Sequence, residues 1–184
     1  AENAPLQIFY MFPSCVPATP FEHSGAVLEA DSIEKVLDNP KLLGLGEMMN
    51  YPGIINADDS VLAKLECAYK RGKSIDGHAP SIVGQGLDAY ILTGITNDHE
   101  CETPDELREK IRKGMYVLLR QGTACKNVLN LLPGVDDSNY RRTMFCTDDR
   151  QPQSITREGH INYAVNLAIN AGMDPIKAIT IAIL

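Results

Sequence analysis

Six short apolar runs, at residues 7–12, 42–46, 73–76, 94–97, 116–119 and 144–146, alternate along the chain with stretches of helical spacing. Strands separated by helix-length connections cannot close as tight hairpins. They pair in parallel through crossovers, so the alternation points to a parallel α/β arrangement. A doubly wound sheet fits the same alternation, but nothing like Gly-x-Gly-x-x-Gly follows the first run. A closed β/α barrel ordinarily takes about 250 residues for its eight units. Six units in 184 residues therefore read as most of such a barrel. No internal repeat, low-complexity tract or domain linker interrupts residues 1–184, which are expected to be part of one barrel domain.

Local signals place the helices. Asp31 with Glu34 three positions on reads as a capping box, and that helix is expected to end at Asn39-Pro40. Residues 56–71 carry Val61, Leu65 and Ala68 on one face, with Gly72 as the stop. A helix is expected over 82–92. Thr103-Pro-Asp-Glu106 is a full start signal, with Thr103 as cap, Pro104 at the first helical position and Glu106 reaching back. Residues 125–132 are helix-like, His160 opens another helix, and Asp174-Pro175 begins the last.

Four potential metal ligands stand where an apolar run gives way to a loop: Glu47, His78, His99 and Asp148. A parallel β/α barrel delivers one side chain per strand to a common rim, which makes four ordinary polar residues one candidate site. Taken singly, each has an ordinary structural explanation. His78 and His99 close short strands among small or polar neighbours, while His23 sits in a polar loop and reads as a surface residue. His160 reads as structural, with contact to a ligand-bearing residue the alternative.

The mixture of types suits metal chemistry. Neutral imidazoles bind a borderline cation through nitrogen, and carboxylates offset its charge and can bridge two ions. Such a cation lowers the pKa of bound water from about 16 to about 7. A neighbouring carboxylate can take that proton and pass it to a leaving group; Asp148 is the natural choice. Asp149 and Glu100, adjacent to Asp148 and His99, are the candidate substrate contacts.

Several other chemistries are excluded. His99-Glu100 continues as Cys-Glu-Thr, so there is no His-Glu-x-x-His helix. The Pro-Cys-x-x-Cys of the zinc nucleobase deaminases is missing, as are a Gly-x-Ser-x-Gly elbow and a P-loop. Lys and Arg total 17 against 24 Asp and Glu, a net charge of −7, with no basic cluster. That balance argues against nucleic acid as a partner. No run approaches the roughly 20 apolar residues of a membrane span, and no signal peptide opens the chain. The five cysteines are widely spaced without Cys-x-x-Cys, which fits reduced thiols in a cytoplasmic protein better than a disulfide framework. The absent initiator Met and the apolar helix at the C-terminus suggest a fragment.

Together, Pro13-Ser-Cys-Val-Pro-Ala18, Gly46-Glu-Met-Met-Asn50, Asp76-Gly-His-Ala-Pro80, Asp98-His-Glu-Cys101 and Phe145-Cys-Thr-Asp-Asp-Arg150 resemble the bacterial and archaeal adenine deaminases of the amidohydrolase superfamily. The similarity runs in order over essentially the whole chain. It implies a partial (β/α)8 barrel covering about strands 3 to 8, with two divalent metal ions, manganese or iron and sometimes zinc. The implied reaction is hydrolysis of adenine to hypoxanthine and ammonia in purine salvage, through attack of metal-bound hydroxide. By the same resemblance Glu47 bridges the metals, His78 and His99 bind one of them, and Asp148 binds the other and shuttles protons. Adenine is the implied partner, and a homo-oligomer is an open option.

Two departures stand out. The superfamily's first-strand His-x-His has no counterpart in these residues, so the chain by itself is expected to be inactive. Arg120-Gln-Gly-Thr123 stands where Arg-Glu-Gly-Ser is expected. The alternatives are another amidohydrolase acting on a cyclic amine or amide, a non-catalytic barrel remnant, and a self-sufficient α/β domain.

Overall fold

A computed structural model describes residues 4–183, which divide into two compact units. The first unit holds the described residues up to His78 together with Gln85–Thr96, and the second holds Ala79–Gly84 and the residues from Asn97 onward. The chain is α/β with parallel sheets, as the alternation predicted.

In the first unit β1 (Tyr10–Phe12), β2 (Leu42–Met48) and β3 (Ser74–Gly77) form a parallel sheet in that order. Helices α1 (Ala30–Leu37), the short α2 (Tyr51–Ile55), α3 (Asp59–Tyr69) and α4 (Gly84–Leu92) connect and follow the strands. Ile33 and Leu37 of α1, Val61, Leu65 and Ala68 of α3, and Leu87 and Tyr90 of α4 are all buried. So are Leu45 and Met48 of β2 and Ile75 of β3. The α3 face is the one its spacing predicted. Gly44 pairs with Ser74 so closely that a Cβ at this position would lie 1.7 Å from the Ser74 carbonyl oxygen. Only glycine lets β2 and β3 approach this far.

The second unit carries β4 (Asn97–Asp98), β5 (Tyr116–Arg120) and β6 (Thr143–Cys146), again parallel and in chain order. Its helices are α5 (Pro104–Arg112), α6 (Val128–Leu131), α7 (Pro152–Glu158), α8 (Ile161–Asn170) and α9 (Pro175–Ile183). Leu107, Val117, Leu119, Val128, Leu131 and Phe145 form its core with Ala164, Ala168, Ala178 and Ile181. Small alanines on α8 and α9 let those helices lie close to β6.

Several local readings need correction. The cap of α1 is Glu29, which makes no side-chain cap bond; Asp31 lies in the first turn, where its charge still favours the positive helix end. The segment read as a helix over 56–71 begins only at Asp59, as α3. Ala57 takes φ 55° and Asp58 an extended conformation, and the Asp58 carboxylate accepts the amides of Ser60 and Val61 to start α3. Thr103 caps α5 as expected, but Glu106 reaches the Glu102 amide rather than that of Thr103. The strand read over 94–97 shrinks to Asn97–Asp98, because Gly94 adopts φ 90° in the turn that leaves α4. Helix α7 was not predicted; Pro152 opens it and Gly159, at φ 112°, closes it. No helix among the described residues is long and apolar enough to cross a membrane.

Candidate metal centre

In the first unit Glu47 is the penultimate residue of β2 and His78 directly follows β3. Neighbouring parallel strands thus bring their carboxyl ends, and these side chains, together: His78 Nδ1 and Glu47 Oε2 are 2.8 Å apart. Two hydroxyls hold the backbone here. Buried Ser14, from the loop after β1, donates to the Glu47 carbonyl at 2.7 Å. Fully buried Tyr90 of α4 donates to the Met48 carbonyl and accepts the His78 amide, both at 2.8 Å.

In the second unit His99 and Glu100 directly follow β4, and Asp148 lies two residues beyond β6. One ligand atom from each of these three lies within 4.8 Å of the others. Asp148 has φ 44°, a left-handed conformation that a non-glycine residue adopts only when its surroundings impose it. His99 Nε2 is 3.4 Å from Glu100 Oε1. Arg120, at the end of β5, grips Glu100 with both terminal nitrogens, one of them 3.1 Å from Oε2, and reaches Asp148 Oδ2 at 3.2 Å. Its Nε is buried without a hydrogen-bond partner.

The donor types present suit a divalent cation. Imidazole nitrogen stands beside carboxylate oxygen, and the carboxylates of Glu100 and Asp148 have already drawn a positive guanidinium between them. Burial pushes Cys101 well above the ordinary thiol range and Cys146 up to about 12, so both are neutral at physiological pH.

A buried ion triad fixes the base of the second cluster. Lys110 Nζ on α5 contacts Asp98 Oδ2 at 2.9 Å, Glu106 Oε1 at 2.6 Å and the Ala79 carbonyl at 2.6 Å. Burial alone would raise the Asp98 carboxyl, but Lys110 and the Ala79 amide outweigh it and hold the pKa below the usual carboxylate value. Burial likewise works against the Lys110 charge, and Asp98 restores it, leaving the pKa above its ordinary value. Asn127 ties the same segment to β5, accepting the Arg120 amide at 2.6 Å and donating to the Cys101 carbonyl at 3.0 Å.

Asp149 faces the loop after β5, where its oxygens accept the amides of Thr123 and Ala124 at 3.0 and 2.8 Å. Burial opposes its charge, yet these amides hold its pKa below the usual value. A Cβ at Gly122 would lie 1.6 Å from Asp149 Oδ1, so the glycine makes room for the carboxylate. His23 is exposed, and His160 is the N-cap residue of α8, its amide donating to Asn162. Sequence reasoning missed Ser14, Tyr90, Lys110 and Asn127. Most of their partners lie 7 to 42 residues away, beyond the reach of a local pattern, although Lys110 and Glu106 stand four apart on α5. Arg120 had a signal, as the first residue of the Arg-Gln-Gly-Thr departure.

The amidohydrolase family model matches residues 1–182. An adenine deaminase from Nitratidesulfovibrio vulgaris (strain Hildenborough) is 50% identical over 182 residues, covering 99% of this chain and 32% of that protein. One from Clostridium acetobutylicum is 50% identical over 181 residues, 98% of this chain and 32% of its own length. Another from Ligilactobacillus salivarius is 46% identical over all 184 residues, again 32% of its own length. The chain thus spans about a third of the length of these curated relatives. Such a match, running nearly end to end through the peptides that carry the strand-end candidates, means that the chain belongs to the amidohydrolase family.

Proposed function

We propose that the whole protein carrying this chain is a metal-dependent adenine deaminase that converts adenine and water to hypoxanthine and ammonia, a step of purine salvage in the cytoplasm. The observation that carries the reading is the identity near 50% with adenine deaminases over essentially all of this chain. In this reading residues 1–184 are strands 3 to 8 of a (β/α)8 barrel and part of one catalytic domain. The ligands are Glu47, His78, His99 and Asp148. They serve two divalent ions, manganese or iron, with zinc as the substitute. The partner is the purine base, with neither nucleic acid nor membrane involved.

When bound, the metal pair supplies water that ionises near neutral pH, the hard part of attacking a stable aromatic amidine. The chain's own residues do the rest. The Glu47 carboxylate stands 2.8 Å from His78 Nδ1, so the two side chains converge. Asp148 takes the proton released as oxygen adds to the amine-bearing carbon of the ring. It then delivers that proton to the departing nitrogen, so that ammonia rather than an amide anion leaves. Arg120 holds the Asp148 carboxylate from the side, which fixes its orientation. Glu100 and Asp149 are the substrate contacts in this reading. Both oxygens of each are engaged, Glu100 by Arg120 and Asp149 by backbone amides, so each would meet adenine as an oriented group.

The test is ammonia release by the purified whole protein against adenine, adenosine, cytosine and dihydroorotate, with metal analysis alongside. Turnover of adenine that disappears on chelation and returns with Mn²⁺ or Fe²⁺ supports the reading. Preference for another ring moves the protein elsewhere in the family, and a protein free of metal and activity is a barrel remnant. The 184 residues alone contain no His-x-His, and turnover by them at the whole protein's rate would remove the ligand assignment.

A further inference from the structure

A tyrosine buried as completely as Tyr90 needs a reason for its hydroxyl. Phenylalanine would fill the same space without the cost of taking a polar group out of water. Leu87, one turn earlier on α4, is equally buried and shows that the helix packs well through hydrocarbon alone. The hydroxyl is nevertheless fully used. It stands between two adjacent strand ends, donating to Met48 O and accepting from His78 N.

These two backbone groups flank the candidate ligands. Met48 follows Glu47 in the chain, and the His78 amide belongs to the ligand residue itself. The β2–β3 register shifts between Leu45 and Met48 before pairing resumes at Met48 with Gly77, so the ladder is irregular at this end of the sheet. A single phenol oxygen also joins the two strand ends there, while Ser14 secures the preceding carbonyl.

We propose that Tyr90 is a positioning residue: by joining the Met48 carbonyl to the His78 amide, it sets the separation of the strand ends that carry Glu47 and His78. The inference rests on the reading of those two residues as metal ligands. Loss of the hydroxyl lets the β2 and β3 ends drift or close, and either movement disturbs the 2.8 Å Glu47–His78 relation. Outer groups that orient metal ligands are typically worth about 10–100-fold in metal affinity or activity.

The experiment compares wild type, Tyr90→Phe and Leu87→Val in the whole protein. It measures Mn²⁺ affinity, thermal midpoint, hydrogen exchange of the His78 amide in metal-free protein, and kcat and KM at saturating Mn²⁺. Tyr90→Phe is expected to weaken Mn²⁺ binding about 10–100-fold and to speed His78 exchange, with the KM for adenine unchanged. Leu87→Val is expected to lower the midpoint and leave Mn²⁺ affinity at the wild-type value. Wild-type affinity and exchange in Tyr90→Phe would overturn the proposal, as would an equal loss of affinity in Leu87→Val. Failure of the wild type itself to take up metal would instead overturn the ligand reading beneath it, and is recognised before any substitution is made.

Discussion

Replacing Lys110 by Met keeps most of the aliphatic stem and removes the ammonium from the buried triad. Three contacts vanish together, to Asp98, Glu106 and the Ala79 carbonyl. Two carboxylates are then left facing each other where almost no solvent reaches, Asp98 being 0% and Glu106 6% exposed. Removing one partner of a buried ion pair costs roughly 3–5 kcal/mol, because the uncompensated charge stays behind. Here the remaining donors soften the loss. Asp98 keeps the amides of Ala79 and Glu100, and Glu106 keeps those of Ser81 and Glu102. The expected loss is therefore near the lower bound, about 3 kcal/mol.

Urea unfolding of the metal-free whole protein measures that loss, and hydrogen exchange at Ala79 and Glu100 locates it. The triple variant Lys110→Met, Asp98→Asn, Glu106→Gln deletes all three charges and should recover at least about half of it, since neutral replacements remove the stranded charge. A single variant within about 1 kcal/mol of wild type, the median value of an exposed pair, would refute the reasoning. So would a triple variant less stable than the single one.

Two further outcomes follow from close contacts. Gly44→Ala puts a methyl group against the Ser74 carbonyl, and the forced separation of β2 and β3 should cost about 3 kcal/mol in thermal unfolding, the upper range for overpacking; an unchanged midpoint would contradict the register. Arg120→Lys keeps the charge but cannot grip both Glu100 oxygens while reaching Asp148. Steady-state assays of the whole protein should show kcat for adenine falling about 10–100-fold, as for other groups that orient catalytic ligands, and kcat at the wild-type value would remove Arg120 from the site.

Much of the scaffold was legible in the chain because it depends on local rules. The α3 face is written in Val61, Leu65 and Ala68, and the α5 start in Thr103 and Pro104. Boundaries were misread where one backbone angle decides, as at Ala57 and Gly94. The candidate ligands could be picked out one strand end at a time, because a polar residue closing an apolar run is visible within a few positions. What holds them could not, since Tyr90 and Lys110 look like ordinary members of amphipathic helices.

The sequence by itself determined the parallel α/β alternation, the positions of Glu47, His78, His99 and Asp148 at strand ends, and the family. Tertiary structure alone decided that Glu47 meets His78, that Arg120 joins Glu100 to Asp148, and that Lys110 and Tyr90 brace the strand ends. The reason lies in the range of the forces. Backbone propensity and hydrophobic period act over one or two turns, whereas a hydrogen bond or ion pair exists only once separate strands and helices have been packed to within 3 Å of each other.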